Sequence, residues 1–231
     1  MDHEESEYHK ELSKFTSEIS LRVLHLYFEF IILNKEEFHV FLDRHKPVLF
    51  RALNTTVSCN NCITVSTSLP KQQPTLYPYQ FNSLFSIKNS RLHLHNTTVR
   101  HCLCKYSALR SVEFDSLDIT LVYAIINTCC SGIHINLHSI RDVKDTRNFL
   151  SHKGNCRITK KEYDTWLNTV ENATLHLAKV VSSVIFKMTQ KQISDFKKDG
   201  PFSNTVKDKQ VSSNDDVCKV RFLILSFYTG V

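Results

Sequence analysis

Glycine and proline are scarce in this chain, with 4 Gly and 5 Pro among 231 residues. A fold of many short strands needs a turn about every ten residues, and turns are built largely from these two residue types. Long helices need far fewer breaks. The composition, 42% hydrophobic and 23% charged, is ordinary for a folded protein and too apolar for a disordered one. The sequence therefore predicts an all-α fold.

Apolar residues recur at steps of three and four, which is the period of one face of an α-helix. The first such segment covers residues 7–33. Its predicted buried stripe is Leu12, Phe15, Ile19, Val23, Leu26, Phe30 and Leu33. Asn34 followed by Glu37 is predicted to cap a second helix, which Pro47 should kink or split. Asp115 is predicted to cap a later helix.

Two longer helices are predicted in the second half of the chain. The first covers about residues 137–153. Thr159 and Glu162 have the spacing of a capping box, and they open a second helix that continues to about residue 190. Trp166, at helical spacing from the apolar residues of that helix, is predicted to lie in the core.

The sequence predicts three regions. A helical domain covers residues 7–190, and it is interrupted by a polar insertion at 54–104. Residues 191–231 are predicted to form a basic, poorly ordered tail. The apolar run at 222–228 is unusual for a free terminus. Either it docks on the domain as a strand or helix, or the chain is part of a longer protein, which is the interpretation we favour.

The net charge is +6 and the isoelectric point is about 8.8, which is compatible with a phosphate-bearing partner. We expect no membrane association, because the sequence contains neither a secretory signal nor a run of apolar residues long enough to span a bilayer. The 8 cysteines are then expected to be reduced thiols or metal ligands in a cytoplasmic protein.

Four cysteines in the predicted insertion have spacings that suggest zinc. Cys59 and Cys62 form a C-x2-C pair, and Cys102 and Cys104 form a tighter C-x-C pair. Zinc in structural sites takes four such ligands in a tetrahedron. We expect a structural zinc at these cysteines, with His101 or His93 as substitute ligands; the alternative is ordinary reduced thiols on a loop.

Three residues near the predicted end of the 137–153 helix carry the most chemistry. Arg147 and His152 have the spacing Arg-x4-His, and Asn148 directly follows the arginine. The spacing alone is weak evidence, because the chain contains 12 His and many Arg. A structural alternative has Arg147 paired with Asp142 or Asp145 and His152 capping the last carbonyls of the helix.

The segment Ile140-Arg141-Asp142-Val143-Lys144-Asp145-Thr146-Arg147-Asn148-Phe149-Leu150-Ser151-His152-Lys153-Gly154, followed by the helix that bears Trp166, resembles the HEPN superfamily. More narrowly, it is similar to the branch found in an animal RING ubiquitin ligase that interacts with the DAZ protein. The resemblance is strongest over residues 115–185 and looser over 11–53. It implies a bundle of four to five helices that pairs about a twofold axis.

In active members of that family, the motif residues of two subunits meet at the interface and cut RNA without metal. The resemblance therefore implies that Arg147 clamps a phosphate, Asn148 is a polar neighbour and His152 is the catalytic imidazole of an endoribonuclease with no catalytic cofactor. The alternative is a non-catalytic adaptor that self-associates in a signalling or ubiquitin-ligase context. Exposure of Arg147 and His152 is required by the first interpretation only.

Overall fold

Helices account for most of the chain that this computed structural model describes, as the scarcity of glycine and proline predicts. The described residues are 2–53, 76–87, 105–130 and 135–199. Residues Met1–Phe196 group as one unit, and Lys197–Val231 group as a second, of which only the end of the last helix is described.

The elements are numbered in chain order. The helices are α1 (Asp2–Lys14), α2 (Leu21–Tyr27), α3 (Phe38–Arg51), α4 (Pro78–Leu84), α5 (Ile119–Cys129), α6 (Leu137–His152), α7 (Lys160–Val181) and α8 (Ser183–Asp199). Two π-helical segments, Phe15–Ser20 and Phe28–Leu33, follow α1 and α2, and a 3-10 turn, Phe114–Ser116, precedes α5. Strands β1 (Phe85–Ile87) and β2 (Tyr106–Ala108) pair antiparallel, with Ser86 opposite Ser107.

The first predicted helix is present, but the two π-helical segments change which residues it buries. A π-helix closes its hydrogen bonds over five residues instead of four, so each segment rotates the following side chains relative to an α-helical register. Three residues of the predicted stripe are only half-buried: Ile19, Leu26 and Phe30. Their places in the core are taken by neighbouring residues, namely Ser20, Tyr27 and Phe28.

Several predicted helix boundaries are wrong by about one turn. Asn34 does not cap α3; it ends the preceding helix in the left-handed region, with φ 44°, which asparagine tolerates better than most residues. Glu37 is the residue before α3, and α3 continues through Pro47 without a break. The cap of α5 is Asp118, whose carboxylate accepts a hydrogen bond from a backbone N–H in the first turn, and not Asp115.

The predicted polar insertion at 54–104 is described only in part, and the described part is not uniformly polar. Its described part, residues 76–87, contributes four buried apolar side chains to the core: Leu76, Phe81, Leu84 and Phe85. Phe85 also begins β1, and the Leu109 N–H donates to the Leu84 carbonyl at 2.9 Å. Residues 76–87 and the segment that begins at residue 105 are therefore both anchored in the helical domain.

The predicted boundary between domain and tail at residue 190 also differs from the structure. The long helix breaks earlier, at Ser182, which is extended and whose hydroxyl accepts a hydrogen bond from the Ile185 N–H at 3.1 Å. A new helix, α8, then continues to Asp199, because Ile193 is buried and Phe196 packs edge-on against Phe15.

Helices α6 and α7 make the most extensive pairing of the described elements, and α7 also packs on α1 and α2. The hydroxyls of Ser20 and Thr174 lie 2.9 Å apart, both fully buried, where the first long helix crosses α7. Helix α5 packs on both α6 and α3. None of the helices in the described ranges is both long and apolar enough to cross a membrane.

Candidate functional site

The end of α6 is held by the core on one side and by a sharp turn beyond it. Ile140, Val143 and Leu150 are buried on the inner face of the helix. His152 is its last residue, and the Gly154 N–H donates to the His152 carbonyl at 3.1 Å. The predicted end of this helix is confirmed to within one residue, and the three motif residues all lie in its last two turns.

His152 is exposed, and its imidazole makes no hydrogen bond or ion pair within the described residues. It does not cap the helix. A histidine of α1 contacts the end of α6 instead: His9 Nε2 lies 3.2 Å from the Leu150 carbonyl oxygen. Asn148 stands one turn before His152 and is half-buried, so the two side chains leave the same face of α6.

Arg147 leaves α6 in a different direction from His152. Five residues of α-helix turn through about 500°, so the two side chains diverge by about 140° around the axis and by about 7.5 Å along it. Nη2 of Arg147 lies 3.6 Å from Oδ2 of Asp118, with the side chains 41% and 54% exposed. Helix geometry therefore directs the guanidinium and the imidazole of one chain away from each other.

The alternative partners considered for Arg147 are engaged elsewhere. The Asp142 carboxylate lies 3.2 Å from the His138 ring, and the Asp145 carboxylate lies 2.8 Å from the Lys144 ammonium. The partner of Arg147 is Asp118, the residue that caps α5 and does not belong to α6. Periodicity along α6 could not have identified it.

A row of basic residues on α6 was not singled out from the sequence. His138, Arg141, Lys144 and Arg147 follow one another at every third position. Lys144 Nζ lies 4.8 Å from the centre of the Tyr123 ring, and a hydrogen bond with the Tyr123 side chain raises the pKa of Arg141. Three of the four therefore contact α5 or its cap. Their regular spacing of three residues could have identified this basic row from the sequence.

An aromatic and charged cluster ties α6 to α7 immediately beside His152. Phe149 stacks on Trp166, and Lys153 Nζ lies 5.0 Å from the centre of the Phe149 ring. Lys153 also pairs with Glu162 at 2.6 Å, and this ion pair together with the Thr159 cap lowers the pKa of Glu162. Trp166 is half-buried and does not lie in the core, contrary to the prediction.

The capping box predicted at the start of α7 is confirmed. The Glu162 N–H donates to Thr159 Oγ1 at 3.3 Å, and the Thr159 N–H donates to Glu162 Oε2 at 2.9 Å. Glu162 thus serves both the helix start and Lys153. The turn from α6 to α7, which begins directly after His152, is therefore held by side chains from both helices.

The predicted zinc ligands, Cys59, Cys62, Cys102 and Cys104, lie outside the described residues, as do His93 and His101. Within the described ranges, no group of three or more His, Cys, Asp or Glu side chains could hold a metal ion.

The adjacent cysteines at the end of α5 are not a reactive pair. Burial raises the pKa of Cys129 well above its usual value, and it raises that of Cys130 to about 11. The raised pKa values disfavour the thiolate, which is the form of cysteine that acts as a nucleophile.

Comparison of the chain with protein-family models, with curated proteins and with solved structures finds no match.

Proposed function

We propose that this chain is a HEPN-type helical domain that binds RNA at the end of α6. The observation that carries the proposal is the exposed His152 imidazole, which has no intramolecular partner among the described residues and shares a helical face with Asn148. A structural histidine usually bonds to a carbonyl or a carboxylate, as His25 does with the Leu117 carbonyl at 2.9 Å. His152 remains available to a ligand.

The proposed reaction is metal-independent cleavage of RNA. RNA carries its own nucleophile, the 2′-hydroxyl, so cleavage requires proton transfer and charge stabilisation and no external attacking group. An imidazole is the side chain most often used to accept or donate such a proton, and His152 supplies one here. The Arg147 guanidinium can offer two parallel hydrogen bonds to phosphate oxygens.

We propose that a complete site needs two copies of the chain. Within one copy the Arg147 and His152 side chains diverge by about 140° around α6. In this arrangement they are poorly placed to contact the same phosphodiester. A twofold axis near the end of α6 would place Arg147 of one copy opposite His152 of the other and would create two such sites. We also propose a cytoplasmic location for this dimer, where its 8 cysteines would be kept reduced.

A second candidate function is a non-catalytic adaptor that self-associates and recruits signalling or ubiquitin-pathway proteins. The ion pair between Arg147 and Asp118 favours it, because a guanidinium that already has a carboxylate partner can be purely structural. Under this candidate, α6 would still form the contact between copies, but RNA would be neither bound nor cut.

Purified wild-type protein, His152→Ala and His138→Ala should be incubated with labelled single-stranded RNA of mixed sequence in the presence of EDTA. His138 is the matched control, because it is 84% exposed on the same helix but pairs with Asp142. We expect His138→Ala to cleave like the wild type and His152→Ala to lose at least about a hundredfold in rate. Equal cleavage by all three proteins would remove His152 from the mechanism; binding without cleavage would favour a non-catalytic RNA-binding role.

A further inference from the structure

The geometry around the α5 cap points to Asp118 as an internal competitor for the guanidinium that contacts RNA. We propose that the Asp118 carboxylate occupies Arg147 in the free protein and that a backbone phosphate of RNA displaces it. This inference rests on the proposed function and adds to it a positioning residue outside the Arg-x4-His segment.

The two carboxylate oxygens of Asp118 have different partners. Oδ1 accepts a hydrogen bond from the Leu121 N–H at 2.8 Å and thereby caps α5. Oδ2 lies 3.6 Å from Nη2 of Arg147. Because the first bond anchors the carboxylate to the helix start, the second oxygen is presented to Arg147 at a fixed place. The carboxylate charge is therefore held in one position by the helix cap, and the side chain does not rotate freely.

The ion pair is weak enough to exchange. Its length of 3.6 Å exceeds that of a good charged hydrogen bond, and both side chains are about half exposed. Exposed pairs of this kind are screened by water and contribute little to stability. A phosphodiester, which accepts two parallel hydrogen bonds from a guanidinium, can replace the carboxylate without disturbing the cap.

The neighbouring cations differ from Arg147 in what they contact. Lys144 pairs with Asp145 on its own helix and lies over Tyr123, while Arg141 bonds to Tyr123. In that row, Arg147 alone is paired with a helix-capping carboxylate within the described residues. The competition is consequently specific to the residue that the proposed function assigns to phosphate binding.

Asp118→Asn separates the charge from the cap, because asparagine caps helices as well as aspartate does. Fluorescence anisotropy of a labelled single-stranded RNA should be compared for the wild type, Asp118→Asn and Asp164→Asn. Asp164 is the matched control, an exposed aspartate on α7 with the same chemical change. We expect Asp118→Asn to bind RNA about two- to fivefold more tightly, as loss of an exposed ion pair implies, and Asp164→Asn to bind like the wild type.

Two further variants distinguish competition from a structural effect. Asp118→Glu keeps the charge but loses the cap geometry, so it should lower the melting temperature without tightening RNA binding. In an Arg147→Ala background, Asp118→Asn should no longer tighten binding beyond the effect of Asp164→Asn, because the contested cation is absent.

The failures of the two proposals can be told apart. If the wild type binds RNA but Asp118→Asn binds it equally or more weakly, the competition is refuted and RNA binding stands. If neither protein binds RNA, the proposed function fails and this inference with it. If Asp118→Asn alone shows measurable binding, both are supported.

Discussion

Phe149 lies parallel to Trp166, with ring centroids 4.7 Å apart and an angle of 22° between the ring planes. This contact joins the end of α6 to the first turns of α7, between the proposed site and the capping box. An offset aromatic stack contributes about 0.5–1.5 kcal/mol beyond the apolar area that it buries. The position of His152 therefore depends on a contact made by its helical neighbours.

Replacement of Trp166 by leucine should lower the free energy of unfolding by about 1–2 kcal/mol, because the stack is lost while part of the apolar contact remains. Urea denaturation followed by circular dichroism would measure the change. Tyr79→Leu is the control: this ring also stacks, on Tyr77, but the two residues are 70% and 62% exposed. A similar loss in both variants would contradict a specific role for the Phe149–Trp166 contact.

Removal of the Thr159 cap should destabilise the protein by about 1 kcal/mol, because Thr159→Ala leaves the Glu162 N–H without its acceptor and weakens the box that starts α7. Thr165→Ala makes the same chemical change on an exposed position inside α7 and should be neutral or slightly stabilising, since alanine is the better helix former. Thermal unfolding of the two variants provides the comparison. Equal melting temperatures would show that the cap contributes nothing measurable.

A mixture of two inactive variants should recover activity if each site combines residues from two copies. Arg147→Ala and His152→Ala are each expected to be inactive. After subunit exchange in equal amounts, half of the dimers are mixed, and each mixed dimer has one intact site, so about a quarter of the wild-type rate should return. Light scattering must first establish the dimer. A mixture as inactive as its components would exclude a composite site.

The half-buried Glu11 should make stability depend on pH. Desolvation raises the pKa of Glu11 above its unfolded value, and this effect exceeds the opposite effect of a hydrogen bond with Tyr163. The stability linked to Glu11 is therefore fully present below the unfolded pKa and is lost as pH rises through the folded pKa. Glu11→Gln removes this titration, so its stability relative to the wild type should increase with rising pH across that interval.

The measurement is chemical denaturation of both proteins at a series of pH values through the acid range. Glu18→Gln serves as the control, because it makes the same chemical change at an exposed position of the same long helix. A difference between Glu11→Gln and the wild type that decreases as pH rises would reverse the assigned sign and refute the interpretation.

Purified protein should contain about one equivalent of zinc if the four cysteines of the predicted insertion bind it. Cys59→Ser should lose the metal, since a structural tetrahedral site needs all four ligands. Cys156→Ser is the control, because Cys156 is an exposed, free thiol in the turn after α6. Elemental analysis measures the zinc content per protein. Wild-type protein that contains no zinc would refute the expected zinc site.

The parts of the fold that the sequence predicted well depend on interactions between near neighbours in the chain. Thr159 and Glu162 of the capping box are three positions apart, and the end of α6 at His152 was predicted from Gly154, which follows the helix closely. Such features are predictable because the interacting groups are brought together by the helix itself, whatever packs around it.

Two of the errors have a common physical cause, which is competition from packing between residues far apart in the chain. The π-helical segments rotate Ile19 out of the core and Ser20 into it, where the Ser20 hydroxyl contacts that of Thr174. The spacing of apolar residues along the chain does not predict this rotation. Similarly, Ser182 ends α7 although the apolar residues continue at helical spacing beyond it. Helix α8 extends past the predicted boundary because Ile193 is buried against the rest of the domain.

By itself, the sequence determined the helical class, the start of α7 and the position of Arg147, Asn148 and His152 near one helix end, since all of these follow from composition and from contacts within a few residues. Tertiary structure alone decided that His152 is exposed and that Arg147 meets Asp118, because these outcomes depend on which surfaces α1, α5 and α7 bring to α6. Helical periodicity specifies the direction in which a side chain leaves its own helix, but the partner that it meets is supplied by the rest of the fold.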